Sequence, residues 1–174
     1  MFQQFSEPHP ALKGFVNNVM IHHMTSDVAQ PQPNFSIPPL PEHGSFFYLR
    51  DSSDAEKMGS NEKETLSSSI IVGPNTNRHI MTPGRNHLMI KVGFQTGGLY
   101  RLLGIPMNDL LCNNALNGMI FFGKEINEVN EKLQEAVSFT EMKWIVENFL
   151  LKRKGKLKQV LPIVSINRYL RVVR

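Results

Sequence analysis

The hydrophobic pattern of this 174-residue chain changes period once, at Phe94, which divides it into a β-rich half followed by a helical one. In Asn86–Phe94 (NHLMIKVGF), Leu88, Ile90, Val92 and Phe94 alternate with His87, Met89, Lys91 and Gly93, the pattern of a strand with two different faces. Upstream, Gly14–Met24 (GFVNNVMIHHM), Ser45–Arg50 (SFFYLR), Ser68–Val72 (SSIIV) and Arg78–Met81 carry β-branched and aromatic residues between turn signals and are predicted strands. Pro83-Gly84 supplies the turn between Arg78–Met81 and Asn86–Phe94. Between Gln30 and Pro41 five prolines fix φ and remove donors, which predicts an extended connector with at most an edge segment. The polar stretch 51–68 (DSSDAEKMGSNEKETLSS) has no apolar period and reads as a long hairpin loop. Short strands at this spacing predict a small antiparallel barrel or sandwich over residues 1–95.

Beyond Phe94 apolar residues recur every three or four positions. Leu99, Leu102 and Leu103 share a helical face, with Gly104 as C-cap and Pro106 beyond, and Met107–Cys112 is expected to add a turn or two of helix. Over Glu125–Val137 the stripe is Ile126, Val129, Leu133 and Val137; over Glu141–Arg153, after a Thr140 N-cap, it is Met142, Ile145, Val146, Phe149 and Leu150. Gly155 is expected to end that helix, and Gln159–Arg174 to begin another. The fold class is therefore α+β: a β-rich part (1–95), a helical part packed on it or dimerising (96–154), and a basic linker with the start of a helix (155–174).

Charge is as unevenly distributed as periodicity. From Lys152 onward there are eight basic residues and no acidic one, whereas the other 151 residues hold 11 basic and 15 acidic. A body of net charge −4 thus carries a +8 tail, and the overall +4 describes neither part. The tail suits phosphate contacts, but equally a helix end followed by a solvated linker, and one helix after Gln159 does not make a helix-turn-helix. A single cysteine excludes an internal disulfide and a thiolate zinc cluster. With no signal-peptide pattern and no run near ~20 apolar residues, a cytoplasmic protein without a membrane segment is expected.

Chemistry-bearing residues are scattered. Adjacent His22 and His23 in a strand point to opposite faces, and His43, His79 and His87 lack the spacing by which one element offers two ligands, so no metal and no cofactor are expected. Cys112 follows Leu110-Leu111 and reads as a buried, unreactive thiol. Glycines in GFQTGGLYRLLG match neither phosphate-loop order and read as a strand-to-helix turn. No catalytic residues are assigned, and the chain is expected not to be an enzyme. If the barrel holds a ligand, Phe47, Leu49, Leu88, Ile90 and Val92 are the candidate pocket residues, filled core being their alternative fate.

Residues Phe94–Leu110 (FQTGGLYRLLGIPMNDL) resemble the Phe-x-Pro-Gly-Gly-x-x-x-Leu-Leu-Gly-x-Pro signature of the N-terminal sensor domains of one group of AraC-type bacterial transcription regulators, with Thr96 in place of Pro. Pro10–Val16, Pro41–Leu49 and Ile71–Pro74 are similar to other segments of that domain, and the likeness spans most of residues 8–153. The resemblance implies a cupin-like β-domain that senses a small-molecule or peptide effector. It also implies a homodimer formed through helices carrying Ile126, Val129, Leu133, Val137, Met142, Ile145 and Phe149, although those stripes suit packing against the chain's own sheet equally. DNA would then be reached only through a C-terminal helix-turn-helix domain not in this chain, making the chain a truncated form or a stand-alone relative. A small-molecule-binding module without a DNA function is the alternative reading.

Overall fold

The computed structural model describes residues 1–29, 33–59, 63–105, 110 and 115–160, with side chains described through Lys154. Ten strands occur in order: β1 (Phe2–Ser6), β2 (Val16–Thr25), β3 (Phe35–Ile37), β4 (His43–Tyr48), β5 (Asp54–Lys57), β6 (Lys63–Thr65), β7 (Ser69–Val72), β8 (His79–Thr82), β9 (Asn86–Phe94) and β10 (Leu116–Asn117). Four helices complete the described chain: α1 (Gly98–Leu103), α2 (Gly118–Phe122), α3 (Glu125–Glu135) and α4 (Phe139–Val160).

All the pairings are antiparallel. The strands form a six-stranded sheet, β1-β2-β9-β4-β7-β10, and a four-stranded sheet, β3-β8-β5-β6. Omitting β1 and β10 leaves β2-β9-β4-β7 facing β3-β8-β5-β6, so successive strands switch sheets as in a jelly roll of two Greek keys, the architecture of cupin-like barrels. The fold class is α+β, a cupin-like antiparallel barrel with a C-terminal helical segment.

β9 lies between β2 and β4 and occupies the residues that the alternation predicted. Its even face, Leu88, Ile90, Val92 and Phe94, joins Val19, Ile21, Phe47, Leu49 and Ile71 in one buried cluster with helical residues Leu99, Leu102, Ile126, Leu133, Val146 and Leu150. The helical part therefore packs on the β part through a shared core. Gly104 caps α1 at φ 70°, a left-handed conformation that favours glycine, and its N–H donates to the Tyr100 carbonyl.

Several expectations need correction. The stretch 51–68 is not simply a loop, because β5 and β6 pair within it and Lys63 bonds Asp54 across them at 2.9 Å. Alternating charges on a two-stranded ribbon open to water leave no apolar period to read. β1 was not anticipated, since its residues FQQFS are mostly exposed and do not alternate. α4 starts one residue before Thr140: the Ser138 hydroxyl accepts from the Glu141 N–H, while the Glu141 carboxylate accepts from the Val137 N–H. It also runs through Gly155 to Val160, since glycine weakens a helix by only ~1 kcal/mol and does not compel it to end. The helical turns expected over 107–112, apart from Leu110, the buried thiol expected at Cys112, and the part of the helix expected over 159–174 that follows Val160 lie outside the described residues. Among the described residues no helix is long and apolar enough to cross a membrane.

Candidate ligand-binding cavity

The two faces of the large sheet differ in what covers them. Helices fill one face, while on the other the two sheets enclose a cavity of about 420 Å³. Alternation along each strand assigns the lining: Met20 and His22 from β2, Gly44, Phe46 and Tyr48 from β4, Ile70 and Val72 from β7, and Met89 and Lys91 from β9. From the small sheet come Phe35, Ile37, Ala55, His79 and Met81. Met1, Met20, Met81 and Met89 give the wall unbranched, polarisable side chains that conform to different shapes.

The polar groups of the cavity fall into distinct arrangements. At one place Lys91 Nζ donates to Glu42 Oε2 at 2.5 Å, and the same ammonium lies 5.8 Å from the centre of the Phe46 ring. Beneath this pair Gly44 and Gly93 are directly paired across β4 and β9. A Cβ on Gly93 would stand 2.3 Å from Glu42 Oε1, and one on Gly44 would stand 2.7 Å from the Phe46 ring, so a side chain at either position would displace one of these neighbours. Elsewhere, Asn75 Oδ1 accepts from the Asn77 N–H and lies 3.2 Å from His79 Nε2.

Behind the cavity wall is a buried histidine. His87 has no exposed surface; its Nδ1 is 3.1 Å from Ser53 Oγ, and its ring packs against His22 and Tyr48. Burial first, then the neighbouring His22 and His23, push His87 down to about 4, keeping it neutral near pH 7. Burial likewise lowers His22, His43 and His79, with the charged N-terminus and His23 adding to the effect on His22 and Lys57 to that on His79. It raises the Tyr48 hydroxyl, which stays protonated. Among the described residues no three His, Cys, Asp or Glu side chains are grouped to hold a metal ion. His22 and His79 belong to different sheets, and β4 alternation turns His43 away from the cavity. The donor set does not fit a metal-dependent cupin centre, and no chemical step is assigned through one.

The five anticipated pocket residues lie on the opposite face. Phe47, Leu49, Leu88, Ile90 and Val92 are at most 4% exposed and belong to the core under the helices. The strands were placed, but alternation alone does not say which face meets the helices. The composition of the alternate positions carried the missing signal: Met20, His22, Phe46, Tyr48, Met89 and Lys91 are flexible, aromatic or polar, whereas the other set, Phe47 aside, is aliphatic. The expected dimer stripe is also largely internal. Ile126, Val129, Leu133, Met142, Ile145 and Phe149 are buried in the chain's own core, whereas Val137 is 93% exposed.

No protein-family model matches the chain, and no curated protein sequence matches it. Solved structures do. A cupin 2 conserved barrel domain protein from Salinispora arenicola is 13% identical, with 57% of this chain and 79% of that one covered at a TM-score of 0.39. A putative mannose-6-phosphate isomerase from Ralstonia eutropha is 17% identical, with 54% and 85% covered at 0.34. The DMSP lyase of Ruegeria pomeroyi is 15% identical, with 45% and 37% covered at 0.31. The expectation that this chain is not an enzyme is corrected by that set, since cupin-like structures similar to it include enzymes.

Proposed function

We propose that this chain is an effector-binding module whose cavity takes a small organic molecule with a mainly apolar body. One observation carries the reading: the same sheet packs a filled aliphatic core on one face and leaves a cavity of about 420 Å³, walled by methionine and aromatic side chains, on the other. An apolar guest in that cavity removes its wall from water and supplies the contacts it lacks. Direct binding measurements with a small-molecule set, before and after Ala55→Trp, test this. Ala55 lines the cavity from the small sheet, so the bulky ring should abolish binding while the melting temperature holds. Equal binding by both proteins, or no binding by the wild type at millimolar ligand, overturns it.

The finer reading is that of an AraC-type regulator's N-terminal domain, which senses the effector, forms a homodimer and controls a C-terminal helix-turn-helix domain. Support comes from the Phe94–Leu110 motif and from the basic segment beginning at Lys152. In this scheme a ligand prefers one arrangement of the helical part and so shifts the DNA-binding state. A reading frame that continues past Arg174 into two helix-turn-helix units would bear this out, and a frame without them would remove the output. The 174 residues alone should bind duplex DNA weakly, without sequence preference and with strong salt sensitivity.

A further inference from the structure

The ion pair inside the apolar cavity has a ligand-shaped geometry, and its explanation deepens the reading just given, on which it rests. We infer that the cavity takes a monocarboxylate with an apolar body, whose carboxylate replaces that of Glu42 on Lys91. Moving two charges out of water into a largely apolar wall costs more than an exposed pair would, so stability alone is a poor reason for placing them there. The two partners are held very differently. Lys91 projects from the middle of β9, paired on both sides by β2 and β4, with its ammonium near the face of Phe46. Glu42 precedes β4, next to Pro41, and reaches the ammonium across the bare backbone of Gly93. The cation is thus fixed and the carboxylate is carried by a connecting segment.

The Lys91 side chain is also the less exposed of the two, 17% against 25% for Glu42. Turning Glu42 out to water restores its hydration, while an incoming carboxylate keeps the buried ammonium paired. Glu42 serves as a built-in surrogate for the ligand's head group, and charge balance at Lys91 is the same before and after exchange. An amine ligand would have to pair with Glu42 and leave Lys91 buried without a partner, which this arrangement disfavours. The apolar body then lies along the methionine and aromatic wall of Met20, Met89, Phe46 and Tyr48.

The matched probes octanoate, octanol and octylamine, titrated calorimetrically into the full chain, separate the possibilities. Octanoate should bind more tightly than octanol, because the displaced Glu42 regains its hydration while Lys91 keeps a charge-assisted bond. Glu42→Gln, which removes the internal competitor, should tighten octanoate further and leave octanol unchanged. Lys91→Met, close to lysine in shape, should erase the preference while octanol still binds; circular dichroism and the retained octanol site verify folding. Equal affinity for octanoate and octanol in the wild type, or octanoate weakened by Glu42→Gln, overturns the carboxylate assignment while leaving the cavity reading intact. Tighter binding of octylamine overturns it in favour of Glu42 as the head-group residue. If none of the three binds, both readings fail for ligands of this shape.

Discussion

The two faces of the six-stranded sheet use the same strands for opposite purposes. Toward the helices, Val19, Ile21, Phe47, Leu49, Ile71, Leu88, Ile90 and Val92 are all at most 4% exposed and interlock with side chains from α1, α3 and α4. Branched aliphatic residues suit that face because they have few rotamers and fill space reproducibly. Toward the small sheet, Met20, His22, Phe46, Tyr48, Met89 and Lys91 surround open volume. Side chains with more freedom, or with a polar end, make a poorer jigsaw and a better binding wall. Stability and recognition are thus divided between alternate residues of single strands, one residue apart in sequence.

Replacing neighbours of opposite facing tests this division most strongly. Phe47→Ala should cost about 3–5 kcal/mol in denaturant unfolding, since it opens a hole in packed core, while Phe46→Ala, beside an existing cavity, should cost about 1 kcal/mol. Equal losses would abolish the distinction between the faces. Next comes pH. His87 has a folded-state value of about 4, below the ordinary 6.5, so between these values the unfolded chain binds more protons. Stability is therefore complete above pH ~6.5 and declines as pH falls toward ~4, with His22, His43 and His79 contributing in the same direction. His87→Gln should flatten that decline in urea midpoints measured between pH 7 and 5. An unchanged slope would remove His87 as a cause.

On the helical side, Arg153 bonds the Glu125 carboxylate and the Phe122 carbonyl, each at 2.7 Å, and lies over the Phe122 and Phe149 rings. Arg153→Met should cost about 1–2 kcal/mol and leave ligand affinity unchanged. A change in affinity would show that the two faces communicate. The smallest effect belongs to Val137, whose replacement by Ser should alter stability by less than ~0.5 kcal/mol. Because Val137 is exposed while Phe149 is buried, Val137→Lys is the better probe of the proposed homodimer by light scattering, whereas Phe149→Glu would disrupt the monomer's own core. Retention of a dimer by Val137→Lys would exclude that residue from the interface.

How far the sequence could be read follows the same division. β9 and β7 were legible because their apolar runs lie between clear turn signals, and α1 because Gly104 marks its end. Alternation sorts NHLMIKVGF into Leu88, Ile90, Val92 and Phe94 against His87, Met89, Lys91 and Gly93, but does not say which set meets the helices. Contact with helices distant in sequence puts Leu88 in the core and leaves Met89 on the cavity side. The Lys91–Glu42 pair spans 49 positions, beyond any local pattern. The β5–β6 hairpin escaped notice because its charges stabilise a wet ribbon without an apolar stripe.

The unequal backing of the two sheets has a kinetic consequence. β6 is exposed along its whole length and no residue of β3, β5 or β8 is fully buried, whereas β9 is almost entirely so. Local opening costs least where few buried contacts must break, so amide exchange should be fastest in the small sheet and slowest in β9. A guest seated in the cavity should slow exchange in that thinner wall first.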